Sequence, residues 1–354
     1  MLPHIVFGHT NLLNSVGISN TNYILAEFIN MVVAVANSSF LIISGYYAIN
    51  SKAKIKKVLM LWGKTLFYSI SIYAVYAIFF NKTQHAYESF LPIITGQYWF
   101  ISAYIALYLL LPVINIMIKK LSKAQFKYLL VLLIVFYGIM RITFNPATIF
   151  TGGFGPVVLL YLIGAYIRLH VEIKKEKQYY FLKYILVTIV VTWLVIMLNA
   201  LFVHMEHSIE NFDILKLLYT IKEGITQFSS ILLIIAVILL FMKFKTMEIK
   251  NKFLNKLITI VSPSVFSIYL IHENINNRGL WTELANPVQY NNSFFLIPYI
   301  LLIVLCVFVI CLIIDLIRIG LYKLIKRIPI VKAFIDKLNG KIDMINQKLS
   351  DFLE

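Results

Sequence analysis

The sequence has few charged residues for its length. Only 14% of its 354 residues are Asp, Glu, Lys or Arg, against about 25% in a typical soluble protein. Apolar residues make up 60% of the chain, and the mean hydropathy is +0.83. No long polar segment separates the apolar runs, so the composition excludes a pair of soluble domains and predicts a protein that crosses a membrane several times.

Cysteine is also scarce. Cys306 and Cys311 lie five residues apart in one apolar run, which places them on different faces of a helix and excludes a disulfide between them. Two thiols supply too few ligands for a metal site. The chain also lacks the G-x-G-x-x-G, P-loop, C-x-x-C and H-E-x-x-H patterns. We therefore expect no metal ion and no bound cofactor.

Apolar runs of roughly the length that crosses the hydrocarbon of a bilayer recur along the whole chain. Five are clear, and four are shorter or interrupted by Gly, Pro and polar residues. In chain order the nine predicted spans are Phe28–Ile49, Val58–Phe80, Trp99–Ile118, Phe126–Ile142, Ile149–Ile167, Tyr184–Val203, Ile225–Met242, Leu257–Ile271 and Ser293–Ile314.

Lysine and arginine alternate between the loops that join these spans. Of the 32 basic residues, 26 fall in loops 50–57, 119–127, 168–183 and 243–256 and in the segment from residue 318 onward. This asymmetry explains the net charge of +16 without a nucleic-acid partner and predicts that those segments are cytoplasmic. Residues 1–13 then form the outer half of a first span.

The predicted fold is an all-α polytopic membrane protein, a bundle of about ten transmembrane helices with the first one incomplete. Residues 1–317 form the transmembrane domain, and residues 318–354 form a basic amphipathic tail. The apolar residues of this tail suit either a helix that lies on anionic lipid headgroups or a short coiled-coil seam. We expect the protein in the plasma membrane with a cytoplasmic C-terminus.

Ionisable residues within apolar segments are costly and often mark a site. His4, His9, Arg141 and His272 are such residues. A neutral imidazole can act as a general base at neutral pH, and Arg141 can anchor at the interface or bind an anion. A histidine at the end of a span can equally be an interfacial residue, so both interpretations stay open at this point.

Four segments together carry a family resemblance. They are SSFLIISGYYAI at 38–49, GQYWFISAYIALYLLLPVIN at 96–115, LYLIGAYIRL at 160–169 and SVFSIYLIHEN at 264–274. In this order they resemble the acyltransferase 3 family of integral membrane acyltransferases. The chain is similar to the shorter members, which carry no additional extracytoplasmic domain and O-acetylate cell-surface polysaccharides or their lipid-linked precursors.

The resemblance implies a donor, an acceptor and a set of site residues. The donor is cytoplasmic acetyl-CoA or another acyl-CoA, the acceptor is a sugar hydroxyl of a glycan, and membrane lipid surrounds the bundle. The family pairs an Arg with a catalytic His about ten residues later, and here that Arg would precede Met1, so we expect a truncated N-terminus or a degenerate member. The implied catalytic residue is His9 or His4, and the implied substrate-binding residues are Ser44, Tyr46, Trp99, Tyr104, Arg141 and His272.

Two other functions share the same features. A transporter or flippase of a lipid-linked sugar would also have many spans, an aromatic mouth and buried polar groups. An inactive partner of a glycan assembly machine would fit the missing Arg. The sequence leaves the oligomeric state open.

Overall fold

The computed structural model describes the chain as an assembly of helices. It describes Leu12 and residues 17–34, 36–51, 55–139, 154–172, 178–206, 213–214 and 233–353. Every regular element within these ranges is helical, which confirms the all-α prediction for the described residues.

The α-helices of the described ranges follow in chain order. They are α1 (Asn20–Ala34), α2 (Ala36–Ala48), α3 (Ile55–Phe80), α4 (Ala86–Phe90), α5 (Trp99–Lys120), α6 (Lys123–Ile134), α7 (Phe154–His170), α8 (Gln178–Glu206), α9 (233–245), α10 (Lys252–Val261), α11 (Val265–His272), α12 (Ile275–Ala285), α13 (Leu296–Ile325) and α14 (Pro329–Leu353). A π-helical turn, Val135–Ile139, continues α6, and a 3-10 turn, Ser262–Ser264, joins α10 to α11.

Four helical segments in the described ranges are long and apolar enough to cross a membrane. They are α3, α5, the continuous run from α10 through α11, and α13. Helix α7 and residues Leu182–Leu194 of α8 are apolar but shorter. Helix α13 continues to Ile325, past residue 318, where the predicted tail begins. The bundle of about ten spans and the division at residue 318 stay predictions.

Contacts between distant segments bring basic loops to one end of the assembly, which we call the basic end. Lys56, in the first turn of α3, lies 4.0 Å from the carboxylate of Asp343 in α14. Lys245, the last residue of α9, lies 3.4 Å from the hydroxyl of Tyr47 in α2. These contacts join loop 50–57, residue 245 and the C-terminal tail, in agreement with the alternation of charge along the sequence.

Polar residues hold the loops of the opposite end together. The Asn22 side chain donates to the backbone carbonyls of Asn291 and Ser293, both at 2.9 Å. The Asn274 amide donates to the hydroxyl of Tyr98 at 2.9 Å. The segments that precede α1, α5 and α13 and the one that follows α11 therefore meet at this end.

Helices α2 and α7 approach each other so closely that their backbones touch. A Cβ atom added to Gly45 would lie 2.0 Å from the carbonyl oxygen of Tyr161, and one added to Gly164 would lie 2.0 Å from that of Ile42. Small residues permit such contact between membrane helices, whose association depends on packing rather than on the hydrophobic effect. Both positions therefore require glycine.

A buried charged cluster joins α3 to α13 within the apolar part of the assembly. Asp315 is fully buried, accepts a hydrogen bond from the Tyr68 hydroxyl and pairs with Arg318 at 2.7 Å. The Arg318 Nε also donates to the Tyr68 hydroxyl at 2.9 Å. The hydroxyls of Ser264 and Ser267 lie within electrostatic reach of the same carboxylate. This cluster fixes α3, α11 and α13 relative to one another.

Alanine at either crossing glycine should destabilise the protein. In Gly164→Ala the new methyl group meets a backbone carbonyl, so the helices must separate, and overpacking of this kind costs about 1–3 kcal/mol or more. Gly63→Ala in α3 is the matched control, because nothing lies within 4 Å of its added Cβ. Thermal unfolding in detergent measures the difference, and equal stability of the two variants would contradict the close crossing.

Loss of the buried carboxylate of Asp315 should lower the free energy of unfolding more than loss of the exposed carboxylate of Asp343. Asp315→Asn leaves the Arg318 charge without its carboxylate, which typically costs about 3–5 kcal/mol, whereas Asp343→Asn removes an exposed ion pair and should cost about 1 kcal/mol or less. The double variant Asp315→Asn/Arg318→Gln should be less destabilised than the two single losses combined. Equal unfolding temperatures for Asp315→Asn and Asp343→Asn would disprove the role of the cluster.

Candidate functional site

A cavity of about 340 Å³ lies between α2, α3 and α5. Ser51 and Lys57 line it at the basic end, and Ser44 of α2 and Tyr104 and Tyr108 of α5 line its interior. Its volume is at the lower end of the range usual for small-molecule sites. The cavity is therefore large enough for a narrow ligand.

Two side chains from the half of α5 nearer the opposite end, Tyr104 and Tyr108, line the interior of the cavity. Near the basic end, the Asn115 amide of α5 donates to the backbone carbonyl of Ala48 at 3.2 Å. The backbone of Tyr104 lies eleven residues before Asn115, and its hydroxyl meets that of Ser44, which is four residues, about 6 Å along the axis of α2, before Ala48. The cavity thus joins the basic end to side chains from the half of α5 that faces the opposite end.

Two hydroxyl groups meet inside the cavity. The Ser44 hydroxyl lies 3.4 Å from the Tyr104 hydroxyl and donates to it. The Phe40 ring packs edge-on against Tyr104, with 5.2 Å between ring centroids. In apolar surroundings such a hydroxyl pair is a strong point of attachment for a carbonyl oxygen.

Cationic and aromatic side chains meet beside α2 at the basic end. The Arg168 guanidinium of α7 lies 5.1 Å from the Tyr46 ring centroid and donates to the Tyr46 hydroxyl at 3.2 Å. The Lys245 ammonium lies 5.2 Å from the Tyr47 ring centroid and 5.7 Å from that of Tyr46. Tyr46 is buried, whereas 54% of Tyr47 is exposed. We call Arg168, Lys245 and the two tyrosines the basic rim, and Tyr47 also lines the cavity.

His272 lies in a separate polar cluster at the opposite end. It is fully buried, and its Nδ1 must carry a hydrogen because it contacts the carbonyl oxygen of Ile268 at 2.7 Å. Its Nε2 lies 3.7 Å from a Glu273 oxygen, and the other oxygen of Glu273 pairs with Arg278 at 3.1 Å. This arrangement orients the imidazole and holds the end of α11 in place.

Aromatic rings connect this cluster with the cavity. Tyr104 stacks near Phe100 at 6.4 Å between centroids, Phe100 lies 6.2 Å from Tyr269, and Tyr269 lies 5.8 Å from His272. Three ring contacts therefore connect His272 with Tyr104, and His272 is not part of the cavity lining.

The site residues predicted from the sequence lie in three places. Ser44 and Tyr104 face each other in the cavity, and Tyr46 belongs to the basic rim. Trp99 begins α5 at the opposite end and is 57% exposed. His4, His9 and Arg141 lie outside the described residues, so their roles stay predictions.

Sequence reasoning did not include several residues of the cavity and the basic rim, among them Tyr47, Lys57, Arg168 and Lys245. Tyr47 adjoins Tyr46 in the same ISGYY segment, which was the available signal. Lys57 and Lys245 were counted only as loop charges, and Arg168 also lay in the family segment at 160–169, because nothing in the sequence distinguishes a cation that contacts a tyrosine or lines a cavity from any other loop cation. Within the described ranges, no three His, Cys, Asp or Glu side chains come together as they would around a metal ion.

Comparison with known protein families shows to which family the chain belongs. The model of the family described as "Acyltransferase domain", Acyl_transf_3, matches residues 4–316. The chain belongs to the acyltransferase 3 family. This acyltransferase has no match among curated proteins or solved structures. Family membership and the long apolar helices together make it a membrane acyltransferase.

Thiol labelling should show from which side the acyltransferase opens its cavity. In a chain with both cysteines replaced by serine, Ser44→Cys and Lys57→Cys should react with a small charged methanethiosulfonate in inverted membrane vesicles but not in intact cells. Ser267→Cys is the control, because Ser267 is fully buried. If Ser44→Cys is labelled no faster than Ser267→Cys, the cavity is not open to the reagent. Labelling in intact cells would show that the cavity opens to the outside of the cell.

Proposed function

We propose that this membrane acyltransferase transfers an acyl group, acetyl in the simplest case, from cytoplasmic acyl-CoA to a sugar hydroxyl of a cell-surface polysaccharide or its lipid-linked precursor. The observation that carries the proposal is the cavity, which has Ser51 and Lys57 at the basic end and the paired hydroxyls of Ser44 and Tyr104 in its interior. A donor from one side can place its thioester there within reach of an acceptor from the other.

The proposal includes the orientation and the complete bundle. The basic end faces the cytoplasm, as expected for segments rich in lysine and arginine, so the C-terminal helix α14 is cytoplasmic. The four long helices belong to a bundle of about ten spans in the plasma membrane. The remaining spans are those predicted from the apolar runs of the sequence.

The chemistry requires a base and a donor to the thioester carbonyl. The acceptor oxygen attacks the thioester carbon, so a C–O bond forms, the C–S bond breaks and the hydroxyl proton passes to the imidazole of His9 or His4. The imidazole then returns the proton to the departing CoA thiolate. In a second version the imidazole first accepts the acyl group and then passes it to the sugar, a double displacement.

Ser44 and Tyr104 supply the hydrogen-bond donor to the thioester carbonyl. Because the Ser44 hydroxyl donates to the Tyr104 oxygen, the Tyr104 hydrogen is available to a carbonyl oxygen in the cavity. A donor directed at the thioester oxygen stabilises the negative charge that develops there during attack, and loss of one such donor typically lowers the rate about 100- to 1,000-fold.

An acyl-transfer assay tests this function. Membranes that contain the protein are incubated with labelled acetyl-CoA and cell-surface glycan, and label in the glycan is counted. We expect transfer by the wild type, loss of transfer in His9→Ala or His4→Ala, and a lower rate at unchanged KM in Tyr104→Phe. Tyr128→Phe, on the exposed surface of α6, is the matched control.

The alternatives give different results in the same assay. Equal transfer by the wild type and both histidine variants would exclude the histidine mechanism. A trapped acyl-histidine would establish the double displacement. Loss of glycan export on deletion of the gene, without any change in acetylation, would identify a flippase instead.

A further inference from the structure

The last helix of the chain, α14, has one side that packs against the rest of the protein. It is 25 residues long, but it is not among the helical segments of the described ranges that are apolar enough to cross a membrane. Half-buried residues recur in it every three or four positions and therefore form one stripe along the helix. They are Val331, Ile335, Asn339, Ile342 and Asn346.

This half-buried stripe contacts the first turn of α3. The side-chain oxygen of Asn346 accepts a hydrogen bond from the backbone N–H of Ile55 at 2.7 Å. The first N–H groups of a helix have no partner within that helix, so Asn346 acts as a cap that another helix supplies. Lys57 and Val58 follow in α3 and line the cavity. The position of α14 therefore bears on one wall of the cavity.

A second stripe of α14, beside the first, is apolar and exposed. Phe334 is 68% exposed, Leu338 48% and Ile345 49%. Successive residues of an α-helix are turned by about 100°, so these three side chains lie within about 40° of one another. We call them the exposed stripe. A contiguous apolar surface of this kind indicates a contact with a membrane or with another protein.

The charged residues of α14 are segregated around the exposed stripe. Lys337, Lys341 and Lys348 lie along one border of it, again within about 40° of one another. Asp336 and Asp343 lie on the opposite side of the helix. Apolar side chains bordered by lysines match the boundary of a lipid layer, where tails accept the apolar groups and anionic headgroups attract the ammonium groups.

A second copy of the chain is the other partner that the apolar pattern would suit. A coiled-coil seam along α14 needs Ile335 and Ile342 together with Leu338 and Ile345, in alternating steps of three and four. Ile335 and Ile342 belong to the half-buried stripe, so only every other position of that seam is exposed. A lipid surface requires no more than the exposed stripe and its lysines, and the structure therefore favours lipid.

We propose that α14 binds the anionic phospholipid surface of the membrane and that this contact keeps the cap on α3 in place. The exposed stripe enters the headgroup layer, and Lys337, Lys341 and Lys348 contact lipid phosphates. Asn346 then stays hydrogen-bonded to Ile55, so the start of α3 beside the cavity is more ordered in a membrane with anionic lipid. This inference does not depend on the acyl-transfer reaction.

Fluorescence tests whether the exposed stripe meets lipid. In the full chain with both native cysteines replaced by serine, Leu338→Cys on the exposed stripe or Gln347→Cys on the opposite side is labelled with a polarity-sensitive dye. Each protein is placed in nanodiscs at one copy per disc. When phosphatidylglycerol is added to phosphatidylcholine, we expect the dye at position 338 to shift to the blue and to be protected from acrylamide, with no change for the dye at position 347.

Two results would contradict the lipid contact. One is equal acrylamide quenching of the two dyes at every content of phosphatidylglycerol. The other is protection of the dye at position 338 only in nanodiscs that hold two copies of the protein, which would assign the exposed stripe to a second copy of the chain.

Removal of lysines from the border should weaken the lipid contact. A lysine near an anionic membrane strengthens binding about fivefold, so Lys341→Gln/Lys348→Gln should lower the ratio of protected to unprotected dye about 30-fold. Lys119→Gln/Lys120→Gln is the matched control, because it removes the same charge from the end of α5. Equal effects of the two double variants would show that only the net charge matters and would overturn the role of the border.

Hydrogen exchange tests whether the lipid contact reaches α3. With phosphatidylglycerol present, we expect the start of α3 to exchange about fivefold more slowly than in phosphatidylcholine alone, the effect of one cap. Asn346→Ala should abolish this difference. The start of α6 is the control, because Ser122 caps it within its own segment. Identical exchange of α3 in both lipids, or a difference that persists in Asn346→Ala, would overturn the coupling between α14 and α3.

Discussion

The backbone contact between α2 and α7 is the constraint on which the rest of the site depends. Because Gly45 and Gly164 bring the two helices together without side chains between them, Arg168 of α7 reaches the ring and hydroxyl of Tyr46 in α2. The same crossing places Tyr161 beside α5, where its hydroxyl donates to the Asn115 side chain at 2.7 Å. Asn115 in turn holds the end of α2, so the wall of the cavity follows from one close crossing.

Buried polar groups in this protein belong to two classes that differ in how they are paired. Asp315, Tyr68 and Arg318 satisfy one another between helices, and such a group holds elements in position at the cost of removing charge from water. Within the described ranges, Arg168 and Lys245 contact tyrosines of α2 rather than carboxylates. Paired charges therefore join α3 to α13, whereas contacts between cations and tyrosines join α2 to α7 and α9.

The sequence predicted the elements of this structure better than their contacts. Charge alternation correctly grouped Lys56 with the C-terminal tail, because loop charge follows the side of the membrane and needs no knowledge of packing. The family segments singled out Ser44 and Tyr104, but the contact between residues sixty positions apart depends on how α2 and α5 pack. Asp315 was missed because it directly follows an apolar run, although Arg318 three residues later was a signal for a pair within one helix.

The position of the cavity reduces the distance over which an acyl group must be carried. Ala48 contacts Asn115 near the basic end, and Tyr104 lies eleven residues closer to the opposite end of α5. Along α2, however, the Ser44 hydroxyl that meets Tyr104 is only four residues, about 6 Å along the helix axis, from Ala48, because the Tyr104 side chain bridges the rest of the distance. Under the proposed function, the donor therefore carries the acyl group part of the way into the bundle, and the acceptor enters from the opposite side.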